Sequence, residues 1–66
     1  MYKNLIYLMA KKKIRQYQVA KLLDISARAV YQKTHGLRDF KLTEAFKVRD
    51  EFFPELSLEY LFEKEA

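Results

Sequence analysis

Gly36 and Pro54 are the only glycine and the only proline in a chain of 66 residues. With the two strongest breakers of regular structure nearly absent and β-branched residues sparse, the chain is expected to be helical throughout. Leu5, Leu8, Met9 and Lys12 recur at helical spacing and mark a first helix that breaks near Lys13-Ile14. Gln16 starts a second, with Val19, Ala20 and Leu23 on one face. Asp24-Ile25-Ser26 interrupts it. Ser26 is a suitable N-cap, because its hydroxyl can accept a bond from an otherwise orphan backbone N–H. Ala27 to His35 then forms a third helix, and Gly36 falls where a left-handed residue would end it. After a polar loop, Leu37 to Lys41, the positions Leu42, Ala45, Phe46, Arg49 and Phe52 set up a fourth helix stopped by Phe53-Pro54. Ser57 caps a last short one, Leu58 to about Glu63, with Leu58, Leu61 and Phe62 as its apolar residues. The expected class is all-α, with five short helices in one domain over residues 1–66.

Half the residues are apolar and a third are charged, a globular composition. The absence of cysteine excludes a disulfide framework and a cysteine-ligated zinc site. A metal would have to rest on His35 and carboxylates, so no metal or other cofactor is expected. No apolar run approaches the roughly 18 residues that span a bilayer, and no signal peptide opens the sequence, so a cytoplasmic location without membrane association is expected. So short a chain walls no deep cleft and offers no nucleophile–base pair. Binding, not catalysis, is the expected activity, and stability this narrow often leans on a partner.

The charge is unevenly placed. Residues 1–38 carry nine basic side chains against Asp24 alone, whereas residues 39–66 carry four bases and eight acids. The first part therefore faces a polyanion more readily than the second.

Residues 16–36 carry the informative spacing. Two helices of about eight residues are joined by only three, as in a helix-turn-helix. Ala20 permits close approach of the second helix, Asp24 is among the few residues that tolerate a left-handed backbone, and Ile25 and Val30 seal the pair against the core. Such a unit holds helix 27–35 outward, ready for a major groove.

The sequence resembles the phage-repressor-like (Xre/Cro-type) helix-turn-helix family. The likeness runs through Ile14-Arg15-Gln16, Val19-Ala20-Lys21-Leu22-Leu23-Asp24-Ile25-Ser26, Val30, Gly36, Leu42 and Ser57-Leu58-Glu59-Tyr60-Leu61-Phe62. It implies a compact five-helix, lambda-repressor-like fold whose second and third helices form the helix-turn-helix. It also implies a sequence-specific regulator of transcription, a Cro- or repressor-like protein acting on double-stranded DNA. On this resemblance Ala27, Arg28, Tyr31 and Gln32 read bases. Their chemistry suits the role: Arg28 can donate two bonds to guanine, Gln32 can pair bidentately with adenine, and Ala27 can meet a thymine methyl. Gln16 matches the family's phosphate-contacting glutamine at a helix N-terminus, where backbone N–H groups also favour an anion. Lys12, Lys13, Arg15, His35 and Arg38 surround it as phosphate-binding candidates.

Three departures stand out. Met9 and Thr34 occupy the positions of an arginine–glutamate pair in many relatives. Loss of both partners together can be neutral, whereas loss of one can cost about 3–5 kcal/mol, so Met9 is expected to pack near Thr34. His35 replaces an asparagine before Gly36, and residues 52–56 lengthen the link to the last helix. The resemblance further implies a homodimer, formed free or only on DNA, on a pseudo-palindromic operator with half-sites about one helical turn apart. Phe53, Leu56, Tyr60 and Phe62 are the expected dimer contact within the C-terminal part, 42–63, with completion of the core as the competing reading. Two other functions fit a domain of this kind: the DNA-binding antitoxin of a toxin–antitoxin operon, and a protein-interaction module without DNA. The basic surround of Arg28 and Gln32 speaks against the second.

Overall fold

A computed structural model describes residues 1–64. Five helices follow one another: α1 (Lys3–Lys12), α2 (Gln16–Leu23), α3 (Ala27–Thr34), α4 (Leu42–Phe52) and α5 (Leu58–Leu61), with no strand among the described residues. None is long and apolar enough to cross a membrane.

The first three helices end by one device. Lys13, Asp24 and Gly36 take left-handed backbone angles (φ 58°, 58° and 80°) just past α1, α2 and α3. In each case the next residue's N–H reaches back five positions to a helix carbonyl. Ile14 donates to Met9 (2.8 Å), Ile25 to Ala20 (3.0 Å) and Leu37 to Gln32 (2.8 Å), closing a Schellman turn. Only the third stop uses glycine, and it needs one, since a Cβ there would lie 2.7 Å from the backbone nitrogen of Met1. The starts are capped as well. Ser26 Oγ accepts from Ala29 N–H (3.0 Å) and Ser57 Oγ from Tyr60 N–H (3.1 Å). Gln18 and Glu44 reach back to the N–H groups of Arg15 and Lys41.

α2 packs on both α3 and α4, while α1 and α5 close the other side. Leu5, Met9, Val19, Leu23, Val30, Val48, Phe53 and Leu61 form the centre of the core. Tyr2 is also buried: its N–H donates to the Thr34 carbonyl (2.9 Å), and its ring meets Phe40 and Phe62 edge-on. The segment before α1 is thereby fastened to the end of α3.

The structure corrects several expectations. α3 stops at Thr34, with His35 as its cap, and α5 stops at Leu61. α4 presents Ala45 and Val48 to the core, not Leu42 and Phe46, which remain 68% and 41% exposed. One hundred degrees per residue explains this, since a stripe through 45, 48 and 52 leaves 42 and 46 on the flank. Of the four residues expected at a dimer contact, Phe53 is wholly buried, and Leu56 and Phe62 pack against the core. The longer link between α4 and α5 folds inward, so Tyr60 alone is left exposed.

Candidate nucleic-acid interface

The cap at Ser26 sets the rotation of α3. Ala29, Val30, Lys33 and Thr34 turn inward, which places Ala27, Arg28 and Tyr31 on the exposed side and leaves Gln32 half-buried at its edge. Arg28 makes no ion pair or side-chain hydrogen bond with any described residue. A guanidinium held on a rigid helix and free of internal partners is available to an acceptor pair outside the molecule.

Tyr31 and His35 form a stack one turn apart, with ring centroids 4.0 Å apart and planes 22° from parallel. His35 Nδ1 lies 3.0 Å from the Tyr31 carbonyl and 3.1 Å from Thr34 Oγ1, so that nitrogen is occupied within the helix. The imidazole therefore offers Nε2 to anything outside. His35 also lines an open concavity of about 550 Å³ together with Arg15, Gln16, Ala27, Met9 and Thr34. The starts of α2 and α3 and the end of α3 thus share one depression. Met9 and Thr34 are both buried at it, as the paired departure at these positions predicts.

The structure brings Arg15, Gln16, Ala27 and His35 together, with Arg28 and Tyr31 on the adjoining exposed side of α3. Lys13 is exposed at the left-handed turn leading into Arg15, and Arg38 is exposed in the loop after α3, its N–H bonded to the Gln32 carbonyl. Lys12 does not belong to this group. Its ammonium lies 3.1 Å from Glu55, 3.2 Å from the Phe52 carbonyl at the end of α4, and 4.9 Å from the centre of the Phe53 ring. The backbone N–H of Glu55 itself and the Lys12 ammonium hold the Glu55 carboxyl below its usual range.

Sequence reasoning missed the ion pair beneath the exposed helix. Lys33 is 3% exposed, and its ammonium sits 2.6 Å from Glu44 and 3.4 Å from the Asp39 carbonyl. Burial pushes the Glu44 carboxyl up, but bonds from Lys33 and the Lys41 N–H, with the charges of both lysines, outweigh it and the net shift is downward. A signal existed: stepping three and four residues from Ala29 and Val30 lands on Lys33 and Thr34, so the helical stripe itself carries Lys33 inward.

No protein-family model, curated protein or solved structure matches this chain. What fold and site define is a class: a small all-helical domain that presents an exposed arginine-bearing helix beside a largely apolar depression rimmed by Arg15, Gln16 and His35.

Proposed function

We propose that this chain is a sequence-specific double-stranded DNA-binding regulator of transcription, Cro- or repressor-like, in which α2 and α3 act as a helix-turn-helix and α3 enters the major groove. The observation that carries this reading is the rotation of α3. Arg28 faces outward with no ion pair or side-chain hydrogen bond to any described residue, and Tyr31 faces outward stacked on His35, beside Arg15 and Gln16, while the lysine of α3, Lys33, turns inward and is neutralised by Glu44. Arg28 reads guanine through O6 and N7, Ala27 meets a thymine methyl, and Gln32 reaches adenine from the helix edge. Arg15, Lys13, Arg38 and the free Nε2 of His35 hold phosphates, with Gln16 at the start of α2 completing the grip.

Selection of binding sites from random duplexes, followed by titration of Arg28→Ala, tests the reading. The expected loss is about 1–3 kcal/mol, with relaxed preference at one base pair. Equal competition by the selected duplex and by random DNA removes sequence specificity. Unchanged affinity and base preference in Arg28→Ala removes the assignment of α3 as the reading element.

A further inference from the structure

The surroundings of His35 decide which of its ring nitrogens carries the proton. Nδ1 lies 3.0 Å from the Tyr31 carbonyl oxygen, and a carbonyl oxygen only accepts, so Nδ1 is the donor there. The Thr34 hydroxyl, 3.1 Å from the same nitrogen, gives its own proton to that carbonyl at 3.0 Å and meets Nδ1 with a lone pair. In the neutral ring Nε2 is therefore a bare acceptor. A phosphate oxygen is an acceptor too, so the outward nitrogen can hold one only after a second proton makes the ring an imidazolium. We propose that Arg15 and His35 form a proton-coupled anion site, in which a phosphate of DNA and a proton at Nε2 bind together. This inference rests on the DNA-binding reading above and adds the control of that interface by pH.

The groups around the ring favour this coupling. From α1 the depression receives only the apolar Ile6, Met9 and Ala10. From the start of α2 it receives the Arg15 guanidinium and the phenol of Tyr17. On α3 the ring touches Tyr31 and Thr34, both uncharged, with Arg28 on the exposed side. Beyond the helix the Met1 nitrogen lies against Gly36, where a Cβ would meet it at 2.7 Å, and Arg38 is exposed in the loop. None of these is a carboxylate. An imidazolium alone would thus share the depression with Arg15 and have no counter-charge, whereas an anion held between the two satisfies both. The stack on Tyr31, with centroids 4.0 Å apart, keeps the ring in place and favours its cationic form through the aromatic face. The coupling is reciprocal: by whatever factor the proton tightens the phosphate, the phosphate tightens the proton.

His35 is the only histidine in the chain, which makes the test direct. The selected duplex is titrated at constant ionic strength at about pH 7.5 and about pH 5.5, a span in which histidine side chains change charge and ordinary carboxylates do not. Wild type should bind about tenfold more tightly at the lower pH, one charge-assisted bond being gained where none was made. Its log–log salt slope should steepen there by about 0.9. His35→Gln, whose amide donates at either pH, should bind equally at both. Arg28→Ala should lose affinity at both and keep the full ratio between them. Circular dichroism checks that each variant folds at both pH values. Nitrogen-15 NMR of the imidazole supplies a reading that needs no DNA. In the neutral ring Nε2 should resonate as the bare nitrogen, and the ring should titrate at higher pH in sulfate than in chloride of equal ionic strength. A bare Nδ1, duplex affinity that stays level or falls at the lower pH, or an undiminished pH ratio in His35→Gln overturns the proposal and leaves DNA binding intact. If no duplex is bound at either pH but sulfate raises the titration of a ring with bare Nε2, the DNA reading fails and the proton-coupled anion site stands; absence of both overturns both.

Discussion

Glu44→Gln should destabilise this small domain strongly. Lys33 has one strong acceptor, the Glu44 carboxylate at 2.6 Å, and both side chains are nearly out of water (4% and 12% exposed). Its other polar neighbour, the Asp39 carbonyl, is at 3.4 Å, and the ring of Phe40 lies 5.9 Å away. Glutamine preserves shape and an acceptor oxygen but leaves a buried ammonium without a counter-charge. Removing one partner of a buried pair costs about 3–5 kcal/mol, and the retained oxygen puts the expected loss near 3 kcal/mol. Lys33→Met keeps most of the stem's packing, and Glu44 then retains the Lys41 N–H at 2.9 Å and some access to water. About 1–2 kcal/mol is expected there. The Lys33→Met/Glu44→Gln double variant removes both charges and should return to within about 1 kcal/mol of wild type, a coupling of about 3–5 kcal/mol.

For a domain of this size 1 kcal/mol moves Tm by roughly 4–8 °C, so Glu44→Gln should melt about 15–20 °C early. Urea titrations followed by circular dichroism at neutral pH give the full cycle. The pH dependence supplies a second check. The Glu44 carboxyl titrates below its ordinary value of 4.5 in the folded protein, so the unfolded chain binds that proton more tightly. Its stabilisation is complete above 4.5 and disappears as pH falls through the lower, folded value. Wild type should lose this contribution on acidification, and the double variant should lack that part of the acid sensitivity. Single-variant costs that add within about 0.5 kcal/mol in the double would refute the reasoning and make the pair no better than a surface contact.

Three other outcomes follow from the same geometry. Lys12→Ala should leave the salt dependence of DNA binding unchanged, because its ammonium is tied to Glu55 and the end of α4, whereas Arg38→Ala should flatten the log–log slope by about 0.9. Gly36→Ala should destabilise by more than about 1–2 kcal/mol in thermal melts, since φ of +80° and a Cβ 2.7 Å from Met1 N act together. Lys13→Gly should stabilise by about 0.5–1 kcal/mol, the left-handed strain relieved being larger than the chain entropy that glycine adds.

Helix boundaries were legible because their punctuation is local. Ser26 and Ser57 cap through bonds to residues three positions on, and Gly36 and Asp24 are among the few types that accept a left-handed backbone. Lys13 takes the same conformation without a sequence signal, because the apolar Ile14 behind it and the Met9 carbonyl close the turn regardless of residue type. The exposed side of α3 was legible for the same reason: cap and period fix rotation. What escaped reading was non-local. Nothing near Tyr2 indicates that Phe40 and Phe62 will enclose it. Eleven residues separate Lys33 from Glu44, and their meeting depends on how the loop after α3 returns. The apolar pattern in α4 misled because it contains two stripes, one through Ala45 and Val48 and another through Leu42 and Phe46, and only the packing of α2 and α5 decides between them.

The division of charge between the two parts of the chain also overstates the cationic footprint. Of the nine bases in residues 1–38, Lys12 and Lys33 are neutralised by Glu55 and Glu44 from the acidic part, so the imbalance partly serves to join the two parts. Lys3 and Lys11 on α1 and Lys21 on α2 lie outside the depression beside α3. On the proposed DNA-binding reading, the cations that would meet phosphates near that helix are Arg15, Arg38 and Lys13, and Arg28 would face the bases. Three or four phosphates per copy at about 0.9 each give a log–log salt slope of roughly −3 to −4 per bound copy. Engagement of the whole excess of eight positive charges in residues 1–38 would instead give about −7. Titrating a single half-site at several salt concentrations separates these values, and a slope near −7 would mean that α1 and α2 lie along the duplex, with α3 no longer the element that approaches it most closely.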